Sequence, residues 1–244
     1  LTELLSNGSF THIFHPHNEH LFDNACIDIL VFRYQLGEPV SQVLYNDVLM
    51  NTNCNNGLVV FDKDQGKYVS ALFKDHFDVY VGLVSGKEEV FKNNELGNTL
   101  ILNGPHKFDK YIFIEHFPCS DNKVNTFLLD HKETLINRKI RKFNETNWFE
   151  WGAPRNKNVM RSSLGQDCIY ISTLSRKQDV AFIGKVGYFG GGLLMLKPTF
   201  KCNLEKVVEY LNSETFRSNF TFSGRFKLGH KQLCYSSIPL NLLS

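Results

Sequence analysis

The sequence contains no run of about 18 apolar residues, the length that a membrane-spanning helix needs. Its first eight residues have neither a basic segment nor a long apolar segment, so they do not form a signal peptide. They also lack an initiator methionine, and we expect the chain to be the C-terminal part of a longer protein. These absences predict a protein of the cytoplasm.

Cysteine is sparse and scattered, with six residues that each lie at least 28 positions from the next. Neither a CxxC pair nor a zinc-binding spacing occurs. A chain of 244 residues can bury a core without disulfides, and we expect its thiols to be reduced. The cysteines therefore predict neither a structural metal nor a secreted protein.

Several enzyme signatures are also missing. The nucleotide-binding pattern GxxxxGK[ST] does not occur. The glycines of residues 187–192 precede a strand-like apolar run instead of an amphipathic helix, which argues against a dinucleotide-binding fold. No PD-(D/E)xK-like or HNH arrangement is evident, and Glu88 and Glu89 are interpreted as a solvated pair, so a nuclease is poorly supported.

The sequence does contain enough apolar material for a folded core. Hydrophobic residues make up 42% of the chain and aromatic residues 13%, with only seven prolines. Periods of two and of 3.6 residues indicate both strands and helices. We predict strands at residues 10–14, 27–34, 42–49, 57–61, 79–84, 111–116, 168–172 and 181–186, with an Asn-rich turn at 51–57. We predict helices at residues 67–77, 124–138 and after Asn203, with Ser213 capping another short helix to Phe220.

Charge is unevenly distributed along the chain. Residues 1–64 contain two basic and eight acidic residues, a net charge of −6, whereas residues 65–244 contain 25 basic and 17 acidic residues, a net charge of +8. Such a division predicts that the second part alone faces a polyanion such as nucleic acid.

The most suggestive basic stretch is residues 222–232, near a C-terminus that has no acidic residue after Glu214. Gly224 and Gly229 allow turns or a close backbone approach to a ligand. Around these two glycines lie side chains with hydrogen-bond donors that suit base edges and phosphates. These candidate DNA-binding residues are Ser223, Arg225, Lys227, His230, Lys231 and Gln232. On these residues alone, a basic surface loop that keeps the chain soluble is the alternative.

A second set of candidates lies between residues 85 and 188. A Ser-Gly-Lys turn follows a strand, four bases occur in residues 138–142, and both tryptophans follow at 148 and 151. Interleaved bases and aromatics suit a surface that grips a nucleic-acid backbone. The alternative is a solvated helix end followed by core tryptophans. The candidates are Ser85, Lys87, Arg138, Arg141, Lys142, Arg155, Asn156, Lys185 and Tyr188.

A histidine cluster near the N-terminus comprises His12, His15, His17 and His20. Only Glu19 offers a supporting carboxylate, and Pro16 interrupts regular placement. We therefore favour a polar loop over a metal site.

Taken in order, these segments resemble the C-terminal part of the gamma-class, TaqI-like adenine-specific DNA methyltransferases of type II restriction-modification systems. The resemblance rests on Gly82-Leu-Val-Ser-Gly86, on the Leu-x-x-Arg-x-Ile-Arg-Lys-aromatic pattern of residues 135–143, and on the Tyr-Leu-Asn-Ser helix and basic stretch of residues 210–232. Each motif is short, and their order over about 200 residues carries the resemblance.

The resemblance implies an α/β fold in which the last strands of a Rossmann-like methyltransferase sheet precede a mixed α+β TaqI-like target-recognition domain. Residues 1–64 would end the catalytic domain, and residues 65–244 would recognise DNA. The family transfers a methyl group from S-adenosylmethionine to adenine N6 of a flipped-out base. Tyr34 matches the aromatic residue that packs on that adenine, although ending a strand is its alternative role.

The catalytic Asn-Pro-Pro-Tyr motif and the Gly-rich cofactor loop of that family are both absent. We therefore expect a chain that is inactive alone, binds no cofactor itself, and works on double-stranded DNA with an N-terminal catalytic region. The alternative is a specificity subunit that docks a separate catalytic chain through its acidic first 64 residues.

Overall fold

The computed structural model describes residues 2–16, 29–55, 58–62, 70–222 and 224–244. Within these ranges the strands are β1 Gly8–Phe14, β2 Val31–Leu36, β3 Gln42–Tyr45, β4 Val48–Asn55, β5 Leu58–Asp62, β6 Ser70–Leu72, β7 Phe77–Val81, β8 Thr99–Gly104, β9 Lys107–Tyr111, β10 Asp167–Ser172, β11 Leu174–Ser175, β12 Ala181–Lys185, β13 Leu193–Pro198, β14 Thr221–Phe222, β15 Arg225–Lys227 and β16 Ser237–Pro239.

The helices described in the same ranges are short. They are α1 Thr2–Asn7, α2 Phe73–His76, α3 Glu88–Phe91, α4 Asn122–Asp130, α5 Lys132–Ile136, α6 Lys157–Ser162, α7 Leu204–Asn212, α8 Glu214–Arg217 and α9 His230–Cys234, with 3-10 turns at Ser218–Phe220 and Leu240–Leu242. None of these described helices is long and apolar enough to cross a membrane.

The strands form several sheets, as expected for a mixed α/β protein. Their strand orders are β2-β1-β3-β4-β5, β12-β10-β13-β7, β11-β15-β14, β16-β6 and β8-β9. The chain divides into two compact units. Unit 1 comprises Leu1–Val79, Ser172–Ile183 and Leu196–Ser244, and unit 2 comprises Tyr80–Ile171 and Gly184–Met195. The predicted boundary at residue 64 lies outside the described residues and stays a prediction.

In unit 1, the five-stranded sheet encloses a small core of Phe10, Ile13, Val43 and Met50. Strand β1 pairs in parallel with β3 and antiparallel with β2. The turn between β3 and β4 is at Asn46 and Asp47, which both have positive φ. The turn was predicted at residues 51–57 instead. The turn at residues 46–47 was not predicted, although Asn and Asp tolerate a positive φ. Residues 51–55 instead continue β4.

The apolar run of residues 29–32 is typical of a strand that is covered on both faces. Strand β2 is instead an edge strand among the described strands of its sheet, and Val31 and Phe32 are 56% and 50% exposed. An apolar run alone cannot distinguish a buried strand from an edge strand, because the neighbours on each side come from elsewhere in the chain. The proposed Rossmann-like origin of β1 and β2 stays a prediction.

The helix predicted at 67–77 is mostly absent from the described part of that segment, where β6 leads into the four-residue α2. The helix predicted at 124–138 is divided at His131 into α4 and α5. By contrast, the strands predicted at 168–172 and 181–186 are confirmed as β10 and β12. The helix starts are also confirmed, because Asn203 and Ser213 accept hydrogen bonds from the Lys206 and Phe216 amides.

In unit 2, the glycine-rich residues 187–192 pack closely against backbone from two other segments. The amides of Leu83 and Leu102 donate to the carbonyls of Phe189 and Tyr188 at 2.8 and 2.9 Å. A Cβ atom added to Gly82 would clash with the Gly190 carbonyl. Residues 187–192 therefore take part in a packed backbone crossing, and glycine is needed there for close approach.

We expect Gly82→Ala to lower the free energy of unfolding by roughly 1–3 kcal/mol, because the added methyl group is forced against backbone that cannot move aside cheaply. Gly192→Ala is the matched control, since nothing lies within 4 Å of a Cβ atom at that position. Urea denaturation followed by tryptophan fluorescence measures both variants. Equal losses of stability in the two would contradict the close crossing.

Candidate nucleic-acid interface

The Ser-Gly-Lys turn of unit 2 contains two candidate DNA-binding residues, of which Lys87 reaches the surface and Ser85 is buried. Ser85 is 1% exposed, and its hydroxyl donates to a carboxylate oxygen of Glu88 at 3.3 Å. Gly86 has φ +80°, a conformation that favours glycine. Lys87 is the last residue of the turn and forms an ion pair with Glu89 at 2.5 Å. Lys87 is thus the residue of this turn that can reach a phosphate.

Arg138 organises the residues around that turn from the interior. It is 7% exposed, and its guanidinium lies 5.3 and 3.8 Å from the ring centroids of Phe91 and Phe143. Burial, with a smaller effect of the nearby Arg141 charge, lowers its pKa to about 10, so it stays charged at neutral pH. The guanidinium donates at 2.7, 2.8, 2.6 and 2.9 Å to the carbonyl oxygens of Leu135, Ser85, Trp148 and Glu150.

These contacts argue against a direct contact between Arg138 and a DNA phosphate, which stays a prediction. Its donors are occupied by backbone carbonyls inside unit 2, so the guanidinium is not presented to a ligand at the surface. Both tryptophans are likewise in the core, and the Trp151 indole donates to the Ile112 carbonyl at 2.9 Å. Residues 138–151 were interpreted either as a surface that grips nucleic acid or as a helix end followed by core tryptophans. The structure supports core tryptophans.

Two of the three bases that follow Arg138 are candidates, and they differ in their contacts. Arg141 donates to the carbonyls of Gly152 and Trp151 at 3.1 Å and pairs with the Glu150 carboxylate at 2.6 Å. Lys142 is exposed. We infer that Arg141 orients the local backbone and that Lys142 is available to a phosphate.

A cluster that the sequence analysis did not identify lies around Glu115. Its Oε1 accepts from Lys157 Nζ at 2.8 Å and from Arg161 Nη2 at 2.6 Å. Arg161 Nε also donates to the Tyr188 hydroxyl at 2.7 Å. Glu115 and Tyr188 are both far in sequence from Lys157 and Arg161. The only local signal was the four-residue spacing of Lys157 and Arg161, which places both on one face of α6.

The neighbouring candidates Arg155 and Asn156 precede α6. Arg155 is exposed. Asn156 has φ +59° and its side-chain amide donates to the Val81 carbonyl at 3.1 Å. Asn156 therefore fixes the start of α6 in unit 2, whereas Arg155 is free to meet a ligand.

Tyr188 and Lys185 also border a cavity of about 400 Å³ within unit 2. Its walls include Leu100, Phe108 and Leu164, each of which is more than half exposed. Lys185 pairs with Asp167 at 2.6 Å at the surface. The cavity thus combines apolar walls with one lysine and with the hydroxyl-bearing side chains of Thr99, Tyr170 and Tyr188.

In unit 1, strand β15 displays two of the predicted base-reading residues. Arg225 and Lys227 are exposed, whereas Phe226 between them is buried. The alternation of a strand therefore places both cations on one face. Gly224 has φ +72° in the turn from β14 to β15. Ser223 lies outside the described residues.

The following helix α9 uses two other predicted base-reading residues to hold itself in place. Gln232 Oε1 accepts from the Gly229 amide at 2.7 Å, which caps the helix. His230 Nε2 donates to the Val79 carbonyl at 3.0 Å. Lys231 is exposed. The side chains of Arg225, Lys227 and Lys231 are therefore the surface donors of this stretch.

Tyr34, the predicted adenine-stacking residue, packs within the five-stranded sheet. Its ring centroid is 5.6 Å from that of Phe10, and its hydroxyl donates to the Leu4 carbonyl at 2.7 Å. Tyr34 lies inside β2, which continues to Leu36, so it does not end the strand as its alternative role supposed. Its contact with adenine stays a prediction.

The histidine cluster lies partly outside the described residues, which exclude His17, Glu19 and His20. His15 is buried, with its backbone amide and carbonyl bonded to the Asn46 side chain. Among the residues that the structure describes, no group of three or more His, Cys, Asp or Glu side chains could hold a metal ion.

No protein-family model matches the chain. Its sequence is similar to that of a protein of the type II methyltransferase class. This relative is the type II methyltransferase M.MjaIV of Methanocaldococcus jannaschii, with 29% identity over an alignment of 178 residues that covers 63% of this chain and 60% of the relative. The match thus spans less than two thirds of the relative. The gamma class and the TaqI-like subgroup stay predictions.

Two solved structures from restriction-modification systems resemble the chain weakly. The type IIG restriction endonuclease BpuSI matches with a TM-score of 0.42 and 14% identity, over 98% of this chain and 37% of that protein. The S subunit of a type I restriction-modification system from M. genitalium matches with a TM-score of 0.35 and 14% identity, over 72% of this chain and 35% of that protein. Neither likeness is close enough to support an argument.

We expect Arg138→Met to lower the free energy of unfolding by at least about 3 kcal/mol, since it removes several charge-assisted hydrogen bonds and leaves buried carbonyls without donors. Lys139→Met is the matched control, because Lys139 is exposed. Denaturant unfolding of both variants measures the difference. If the two variants were equally stable, Arg138 would not hold this region together.

Proposed function

We propose that the chain provides sequence-specific recognition of double-stranded DNA for an adenine-N6 methyltransferase of a restriction-modification system. The similarity to a type II methyltransferase over 178 residues carries this proposal. The net charge of +8 on residues 65–244 and the exposed cations in both units support a nucleic-acid ligand.

Methyl transfer itself requires groups that this sequence does not contain. The Asn-Pro-Pro-Tyr motif is absent, and in the proposed enzyme a catalytic region supplies it together with the S-adenosylmethionine site. The role of this chain is then to select the DNA site at which that region extrudes an adenine.

The geometry divides the candidate residues by task. We assign phosphate contacts to Lys87, Lys142 and Lys185, which are side chains at the surface of unit 2. We assign base reading to Arg225, Lys227 and Lys231, with Arg155 and Tyr188 in support. Buried or bonded candidates position these groups instead of contacting DNA; they are Ser85, Arg138, Arg141, Asn156, His230 and Gln232.

A separate specificity subunit that docks a catalytic chain is the second candidate function. The observation that favours it is edge strand β2, where Val31, Phe32 and Leu36 are all at least half exposed. Exposed apolar side chains on an edge strand suit a protein interface. A contiguous upstream reading frame encoding Asn-Pro-Pro-Tyr would contradict this second candidate.

We expect the chain to bind random-sequence duplex DNA with an affinity that falls steeply as salt increases. Each phosphate contact contributes about −0.9 to the slope of log K against log salt concentration, so three contacts predict a slope of about −3. Fluorescence anisotropy across a salt series measures the slope. If the chain bound no duplex even at low salt, the proposal that it recognises DNA by itself would fail.

Arg225→Ala and Lys142→Ala should weaken binding in different ways. Loss of a bidentate base contact at Arg225 should relax preference at one base pair by about 1–3 kcal/mol, whereas loss of Lys142 should weaken binding to all sequences alike. Selection of bound duplexes from a randomised library, followed by sequencing, separates the two effects. A uniform loss of affinity in both variants would contradict the assigned roles.

A further inference from the structure

The carboxylate of Glu115 occupies the place of an anionic ligand between two cations of unit 2. One of its oxygens accepts hydrogen bonds from both Lys157 and Arg161, at 2.8 and 2.6 Å. All three side chains reach the surface, with 42% of Glu115, 27% of Lys157 and 48% of Arg161 exposed. Two cations that share one acceptor oxygen form a small anion site that the protein itself fills.

The two cations are held in position by other residues as well. The ammonium group of Lys157 lies 5.8 Å from the centroid of the Phe113 ring. Arg161 donates through Nε to the Tyr188 hydroxyl at 2.7 Å, and the Tyr188 ring packs edge-on against Phe113 at 5.8 Å. Because Arg161 uses Nη2 for Glu115 and Nε for Tyr188, it can exchange the anion without losing its contact with Tyr188.

Exchange of the anion costs little. Exposed ion pairs contribute little to stability, so the Glu115 contacts are readily broken. A phosphodiester oxygen accepts from Lys and Arg in the same way as a carboxylate oxygen. Duplex DNA presents such oxygens at high density, and binding releases counterions from them.

We propose that Lys157 and Arg161 form a DNA phosphodiester site and that Glu115 is an internal competitor which a phosphate displaces when DNA binds. The inference rests on the proposed recognition of DNA. A phosphate bound by Arg161 would lie next to Tyr188, which borders the cavity of unit 2. Tyr188 is one of the side chains assigned to support base reading.

Glu115 remains a competitor across the usual range of pH. Its hydrogen bonds from Lys157 and then from Arg161 lower its pKa to about 2, so it is ionised wherever the protein is studied near neutrality. Changing the pH of the buffer therefore does not remove the competitor. Substitution by the neutral, similarly shaped glutamine does.

The test compares Glu115→Gln with the wild-type chain in duplex binding across a salt series. Because a phosphate contacts Lys157 and Arg161 in both complexes, we expect the slope of log K against log salt to stay close to that of the wild-type chain. The affinity should rise by up to about fivefold, since no exposed ion pair has to be broken when DNA binds the variant. Glu95→Gln is the matched control, because it removes one exposed negative charge elsewhere in unit 2. It should raise the affinity less and leave the slope almost unchanged.

A triple variant, with Glu115, Lys157 and Arg161 all replaced by Gln, checks that the gain belongs to these cations. It should lose the gain and have a shallower slope than the wild-type chain. If wild type bound duplex DNA but Glu115→Gln matched Glu95→Gln in affinity, the competitor role would be overturned and DNA recognition would stand. If wild type bound no duplex at any salt concentration, both proposals would fail.

Discussion

The surface of unit 2 depends on the buried guanidinium of Arg138. Backbone carbonyls from three separate stretches converge on it, at Ser85, at Leu135 and at Trp148 with Glu150. A charged group inside a protein is tolerable only when its donors are satisfied, and these carbonyls satisfy them. The consequence is a fixed frame from which Lys87 and Lys142 extend to the surface, so the most buried base in the region positions those that can meet a ligand.

The basic residues of the chain thus fall into groups that differ in their contacts, and a count of charges in the sequence cannot distinguish these groups. Arg138 and Arg141 are bonded to backbone carbonyls. Others are paired with single carboxylates at the surface, as Lys185 is with Asp167. Arg225 and Lys227 are exposed on one face of a short strand. Exposed pairs can exchange their carboxylate for a phosphate, whereas interior bonds to backbone cannot be given up without disturbing the fold.

Sequence reasoning located the basic segments but could not distinguish exposed side chains from those that hold the fold. Arg225 and Lys227 are exposed on either side of the buried Phe226, because the period of a strand is a local property. Gln232 was assigned to a base edge, and in the structure it caps the helix that begins at His230. Lys157 and Arg161 were missed, since their partners Glu115 and Tyr188 are 27 or more positions away in sequence.

The sequence by itself determined the local features: the helix starts at Asn203 and Ser213, strands β10 and β12, and the concentration of positive charge after residue 64. Each depends on residues within a few positions of one another. Only the tertiary structure decided that β2 is an edge strand, that Arg138 is interior, and that Glu115 lies between two cations. Those outcomes depend on which distant segments come together, and no local period or cap encodes that.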